Sequence, residues 1–173
     1  MSNEVEMALA LRLREFLNRQ RVEYTHSVHT AVYTARALAS AEHLPSREVA
    51  KTVIVFGDGT YHMIVVPANK LVDFQEVRQA LRLSDARLAT EQELEGLFPD
   101  CELGAMPAMG KLYDMPAYLD NSLAGENMIA FSGGTHRDLV QMQIDEYLRM
   151  AQPTVISLAR SEKVFCAGSG PTA

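Results

Sequence analysis

The sequence predicts an α+β fold in a single domain, and three observations carry that prediction. Apolar residues recur at helical spacing in some stretches and as short β-branched runs in others, interspersed without the regular strand-helix-strand repeat of a doubly wound parallel sheet. Two of the strongest runs, 49–56 and 61–66, are joined by Gly57-Asp58-Gly59-Thr60, turn chemistry suited to an antiparallel hairpin. The chain has 173 residues, 47% of them hydrophobic, enough for one sizeable core and too few for two ordinary domains. The domain is expected to span 1–159. Residues 160–173 end in Ala-Gly-Ser-Gly-Pro-Thr-Ala, with little beyond Val164 and Phe165 to anchor them, and are expected to fray.

Each element has its own signal. Val5, Leu9, Leu13, Phe16 and Leu17 share one stripe, so 4–19 is predicted as an amphipathic helix with Arg12 and Arg19 off the stripe. Residues 22–28 read as extended. Thr30 is the predicted cap of a second helix reaching about His43; Ala31, Ala35, Ala37 and Ala39 allow close packing, and Pro45 follows its end. Asp73 with Glu76, and Thr90 with Glu93, have capping-box spacing and predict two short helices, one carrying Val77 and Leu81, the other Leu94 and Leu97. Punctuation at Gly104, Pro107 and Gly110 makes 101–116 a structured loop. Residues 117–120, 127–131 and 139–144 read as strands, the last with Val140, Met142 and Ile144 on one face, and 145–151 as a helix.

Composition excludes several classes. A formal charge of −6 argues against a surface coated with basic residues for nonspecific nucleic-acid binding, and no DNA partner is expected, although a local basic patch is compatible with it. Cys101 and Cys166 form no disulfide framework and no Cys-x-x-Cys pair, so reduced thiols are expected. No run approaches the roughly 18 apolar residues that cross a bilayer, and 1–6 lacks a signal pattern. A cytoplasmic protein with no membrane partner is expected.

The most informative residue is Lys51. Period-2 alternation in V-A-K-T-V-I-V-F puts it on the face of Val49, Val53 and Val55, where a lone ammonium would cost several kcal/mol. It either escapes from the strand end, pairs with an acid, or lines a polar cavity that binds a carbonyl or phosphate. Ser132-Gly133-Gly134-Thr135-His136 follows the strand-like run 127–131. It is either a satisfied bend or a place where a backbone without Cβ lets a ligand approach amides and an imidazole. His26-x-x-His29 has no third ligand to complete a metal site, and no metal or other cofactor is expected. Cys101 with His136 as base is a conceivable nucleophile pair without a local signature. No G-x-S-x-G elbow, phosphate-binding loop or dinucleotide fingerprint occurs. Arg12, Arg14, Arg19 and Arg21 read as a solvated helix face that could also touch a polyanion.

Taken in order, A-K-T-V-I-V, L-G-A-M-P-A-M-G and S-G-G-T-H-R-D-L-V resemble the YbaK-type aminoacyl-tRNA deacylase family, whose fold also forms the editing domain inserted in bacterial prolyl-tRNA synthetases. The resemblance covers 22–153. It implies a mixed, mostly antiparallel sheet flanked by helices and a free-standing enzyme that hydrolyses a wrong small amino acid from tRNA. No metal or covalent intermediate is implied, and the terminal ribose hydroxyl assists water. The family's strand lysine matches Lys51, and its glycine-Ser/Thr-His motif matches Gly134, Thr135 and His136, the implied catalytic set. Its G-x-x-x-P adenosine loop falls on Gly104, Met106, Pro107 and Ala108, with alanine where the final proline stands and Pro107 one position early. Apart from the resemblance, Tyr24, Ser132 and Gly133 are substrate-binding candidates, with Met63 and Ile129 as further pocket candidates. The implied partners are the acceptor end of an aminoacyl-tRNA and an aminoacyl-tRNA synthetase. Phosphate contacts are expected among Arg12, Arg19, Lys70, Lys111 and Arg137. The alternative from another class is a noncatalytic module of the same fold that binds aminoacyl-tRNA or a nucleotide; a third is a thiol or ester hydrolase built on Cys101.

Overall fold

The computed structural model describes residues 9–161. Helix α1, Leu11–Gln20, buries Leu13 and Leu17. It starts later than the hydrophobic stripe predicts, and the stretch before residue 9 lies outside the described residues. Leu9 and Ala10 are turned aside because the Ala10 amide donates to the Gly133 carbonyl at 2.8 Å. Ala10 has no side-chain oxygen to cap the helix. Asp100 supplies one from afar, its Oδ2 accepting the Arg12 amide at 3.3 Å and putting negative charge at the helix N-terminus.

Strand β1, Thr25–Val28, precedes helix α2, Ala35–Ala41. The cap of α2 is Thr34, not Thr30: its hydroxyl accepts the Ala37 amide at 3.0 Å. Residues 29–32 are instead held out of the helix by tertiary bonds, His29 N–H to Arg137 O at 2.8 Å and Val32 N–H to His136 O at 3.1 Å. The helix ends at Ala41, and His43 takes a left-handed φ of 54° beyond it.

Strands β2, Ala50–Gly57, and β3, Thr60–Pro67, form the predicted hairpin, with left-handed φ of 51° at Asp58 and 81° at Gly59. Both faces of this ribbon are covered. Ile54, Met63 and Val65 enter the main core with Leu13, Phe131 and Tyr147, while Val55, Ile64 and Val66 enter a second cluster with Val77 and Leu158. That explains the continuous apolar runs.

Short strand β4, Lys70–Val72, leads to helix α3, Phe74–Ala80. Asp73 caps α3 through the amides of Gln75 and Glu76, but the reciprocal half of the predicted box is open, because Glu76 Oε2 accepts the Ser157 hydroxyl at 2.7 Å instead. Strand β5, Arg87–Leu88, precedes helix α4, Glu91–Leu97, which Thr90 and Glu93 cap reciprocally. The 101–116 loop contains one 3-10 turn, Gly110–Tyr113. Strand β6 is Ala117–Asp120, helix α5 Asn121–Ala124, strand β7 Met128–Ser132, strand β8 Asp138–Gln143 and helix α6 Ile144–Ala151. Ile144 thus begins a helix rather than ending a strand.

Strands β9, Thr154–Ile156, and β10, Ala159–Ser161, complete the described chain. Arg160 is therefore in a strand and not in the fraying tail; the rest of that tail lies outside the described residues. The buried Asp120 secures this turn back, its Oδ1 accepting the amides of Leu158 at 2.8 Å and Ala159 at 3.1 Å.

The strands of the described residues form three sheets. Five run in the order β5-β2-β3-β6-β9, antiparallel around β2 and parallel from β3 to β9. Three run antiparallel in the order β1-β8-β7, and β10 pairs with β4. Among the described residues the two larger sheets meet at one parallel bridge between Val49 and Ala130, which sets the start of β2 beside the middle of β7.

Glu93 Oε2 accepts the Thr90 amide at 2.7 Å, and its carboxylate takes two bonds from Arg87, at 2.8 and 2.9 Å. Arg87 foremost, then the Thr90 amide, hold this carboxyl down at about 2 instead of 4.5. Because the folded value is depressed, the stabilisation is present above the ordinary carboxylate range and disappears as pH falls toward 2. Glu93→Gln should therefore lose less stability than the wild type over that acid range. Denaturant titrations at several pH values measure this, and parallel acid profiles would contradict it.

Candidate active site

A cleft of about 220 Å³ opens at the seam of the two larger sheets. One wall is the start of β2, Ala50, Lys51 and Thr52. Another is the segment entering α2, with His29, Tyr33 and Thr34. Gly104 and Met106 from the long loop and Ser132 and His136 from the β7–β8 bend close it.

Lys51 is half-buried, and its Nζ donates to the Lys70 carbonyl at 2.9 Å. Its register partner on β3 is Val66, so it stands at the end of the ribbon where the apolar face gives way to the cleft. Escape from the strand end and the lining of a cavity are therefore compatible in one side chain.

His136 is fixed at three points. Its Nε2 donates to the Leu103 carbonyl at 2.7 Å, its amide to Glu102 Oε2 at 3.0 Å, and its carbonyl accepts the Val32 amide. In the neutral imidazole this leaves the lone pair on Nδ1. The Tyr33 ring lies against it, centroids 4.7 Å apart and planes tilted by 48°. Tyr33 is 74% exposed, the most open of the large apolar side chains among the described residues, and so presents an aromatic face at the rim of the cleft.

The bend itself is built on Asp138, a carboxylate only 1% exposed. His26 Nε2 donates to its Oδ1 at 2.5 Å and the Thr135 hydroxyl to its Oδ2. Asp138 O also accepts the Gly133 amide at 3.0 Å. Gly134 has a φ of +110°, and a Cβ there would stand 2.6 Å from the Ala10 Cβ; one on Gly133 would stand 2.5 Å from Leu9 Cδ2. The glycines thus let the segment before α1 lie directly on the bend.

The residues singled out in the sequence fall into three groups. Lys51, Gly104, Met106, Ser132 and His136 meet in the cleft wall. Gly133, Gly134 and Thr135 shape the bend behind it, while Pro107 and Ala108 are buried at the back of the loop, Ala108 O accepting the Tyr147 hydroxyl at 2.6 Å. Met63 and Ile129 are core residues, and Tyr24 lines another hollow with Glu23, Met128 and Gln141. His29, Tyr33, Thr34 and Thr52 are wall residues that the sequence reading did not select for the pocket. Tyr33 and Thr34 were hidden by placing them inside a helix capped at Thr30.

His26 and His29 do not act together: His26 is bonded to Asp138, and His29 Nδ1 to Thr30 O at 2.7 Å. Among the described residues no three of His, Cys, Asp and Glu cluster at metal-binding spacing. Cys101 is away from the cleft wall, its Sγ near the Tyr113 hydroxyl at 3.2 Å and Asp100 Oδ1 at 3.6 Å. Burial first, with Asp100 adding to it, pushes this thiol up to about 12, so it is protonated and a poor nucleophile near neutrality.

A family model described as the aminoacyl-tRNA editing domain matches residues 29–150, which contain every residue of the cleft wall. No curated protein matches the sequence. A crystal structure described as a candidate trans-editing enzyme for prolyl-tRNA synthetase superposes with a TM-score of 0.77 at 22% identity, covering 88% of this chain and 97% of the other. A hypothetical protein gives 0.77 at 17% identity, covering 86% and 99%. A candidate signal-transduction protein from Marinobacter aquaeolei gives 0.69 at 14% identity, covering 87% of this chain and 31% of its own length. At these identities the superpositions establish the fold.

Asp138→Ala strands the His26 and Thr135 donors. It should destabilise the protein by about 1–3 kcal/mol for each donor left buried without a partner. Asp138→Asn, which keeps one acceptor oxygen, should lose less. Chemical denaturation midpoints of the two variants decide, and equal losses would show that shape rather than these bonds holds the bend.

Proposed function

The chain belongs to the aminoacyl-tRNA editing domain family, and from that premise we propose that it is a deacylase acting in trans, hydrolysing a wrongly attached small amino acid from the acceptor end of tRNA. The observation that carries this reading is the convergence of Lys51, Gly104, Met106, Ser132 and His136, distant in sequence, on one small cleft. At about 220 Å³ the cleft is below the roughly 300–1,000 Å³ usual for larger ligands. That size suits an aminoacyl group whose terminal nucleoside rests on the rim.

In the proposed reaction, water adds to the ester carbonyl and the bond to the ribose oxygen breaks, releasing the amino acid and a free tRNA hydroxyl. The Lys51 ammonium holds the carbonyl oxygen or a neighbouring ribose or phosphate oxygen as negative charge develops, a role typically worth 10²–10³ in rate for a well-placed donor. His136, anchored through Leu103 and Glu102, shapes the pocket and orients the substrate. The adjacent ribose hydroxyl of the RNA assists the water, so no protein side chain need act as general base. Tyr33 supplies a stacking surface for a terminal base. The need for such a site is general: one methylene in a synthetase pocket is worth only about 1–3 kcal/mol, too little to reject a smaller amino acid.

A panel of tRNAs charged with alanine, serine, cysteine or proline should reveal hydrolysis of at least one. Lys51→Ala should lower kcat/KM on it by about 10²-fold or more with an unchanged melting temperature. Wild-type turnover by that variant would sink the mechanism, and tight binding without any turnover by the native chain would favour a noncatalytic module.

Tyr33→Ala should raise KM for the same substrate by about fivefold or more, from a stacking worth of roughly 1–3 kcal/mol, with little change in kcat. Steady-state kinetics test it, and an unaltered KM would remove Tyr33 from substrate binding.

A further inference from the structure

We propose that the hollow between α1 and the 3-10 turn at Gly110–Tyr113 is a second RNA contact that seats backbone phosphates of the acceptor stem, a proposal that rests on the deacylase reading of the cleft. The chain carries a formal charge of −6, yet α1 and the residue after it hold Arg12, Arg14, Arg19 and Arg21 against Glu15 alone. Charge in this protein is therefore segregated. A hollow of about 460 Å³ gathers Arg12 and Arg19 from the helix and Lys111 from the turn, with Glu15 as the one acid and Phe16 and Leu112 as apolar floor.

Helical spacing sets Arg12, Glu15 and Arg19 along one face. Arg12 is held in place: its NH1 donates to Leu112 O at 3.2 Å, and its guanidinium lies 5.2 Å from the Tyr113 ring centroid. Lys111 bonds the neutral Gln152 side chain, and exposed Arg19 has no hydrogen bond or ion pair among the described residues. These cations are not consumed by internal carboxylates. Guanidinium groups fit phosphate oxygens in pairs, and their apolar stems are supported by the floor.

The hollow is also within reach of the cleft. Ala10 N is 3.1 Å from where a Gly134 Cβ would stand. Arg12 is two residues beyond Ala10, and His136 two beyond Gly134. At no more than about 3.6 Å per residue, the Cα atoms of Arg12 and His136 are within about 20 Å of each other. A charged tRNA end held in the cleft can continue across this face. Lys70 lies in β4 and Arg137 beside His136, so neither belongs to the groove.

The test compares the native chain with an Arg19→Glu/Lys111→Glu double variant and with an Arg82→Glu/Arg160→Glu control, which makes the same change of charge at other exposed positions. Binding of uncharged tRNA over a salt series reads the groove without requiring hydrolysis. Losing two phosphate contacts should reduce the slope of log affinity against log salt by about 1.5 and weaken binding tenfold or more at low salt, with the control near wild type. On charged tRNA the double variant should show a KM raised about tenfold at unchanged kcat, whereas on an aminoacyl ester of a 3′-terminal trinucleotide it should match the native chain.

Undiminished tRNA binding by the double variant, or equal losses in the control, overturns the proposal. Undiminished tRNA binding combined with lost retention of poly-glutamate overturns it in favour of an acidic protein partner. If the native chain hydrolyses neither substrate, the deacylase reading fails, and the salt series alone still decides whether the groove binds RNA.

Discussion

The buried carboxylate of Asp138 is the interaction on which the candidate site depends. A carboxylate withdrawn from water costs several kcal/mol unless its oxygens are satisfied. Here one oxygen takes His26 from β1 and the other takes Thr135 from the bend, while the residue's own carbonyl closes the bend through Gly133. One side chain thus ties a strand, a turn and the start of the next strand together. The consequence extends to His136. Its backbone continues the pairing of β1 and β8 through His29 and Val32, so its position follows from sheet register rather than from a loop's own preference.

Lys51 shows how a covered sheet can still present a charge. The ribbon of β2 and β3 is apolar on both faces over most of its length, and the ammonium stands only at its end, against the Lys70 carbonyl and the cleft. Two residues before Lys51, the bridge from Val49 to Ala130 sets Ser132 and His136 opposite it. The cleft is therefore a by-product of joining two sheets at one point. One wall is the end of a strand, and the others are segments pinned by hydrogen bonds, as at His29, Val32 and His136, which suits a site that must hold an ester in one orientation.

Much of this was legible in the residues and some was not. Alternation and turn chemistry marked the hairpin, and the reciprocal spacing of Thr90 and Glu93 marked α4, because both signals are local. Thr30 and Thr34 are equally good caps in sequence, and only the bonds from His29 and Val32 to the 136–137 segment select the second. Placing the helix too early concealed Tyr33. The last strands were hidden for a similar reason, since β9 and β10 are too short to announce themselves and depend on Asp120, 38 residues before the Leu158 amide that it holds. Within the site, Lys51 and His136 stood out because their chemistry is unusual for their surroundings. Thr52 and Thr34 did not, because a threonine is ordinary in a strand or at a helix start.

Ala108 stands where the sequence resemblance would place a proline, and its carbonyl is gripped by the hydroxyl of Tyr147, a wholly buried ring whose own phenol is kept protonated by its surroundings. A proline stiffens a loop through its own ring, before any other part of the molecule has folded. Here stiffness is borrowed from a neighbouring helix and arrives only once that helix has docked. Evolutionary drift at Tyr147 would consequently be felt in a loop it does not resemble and never adjoins along the chain, so the two positions should be expected to change together.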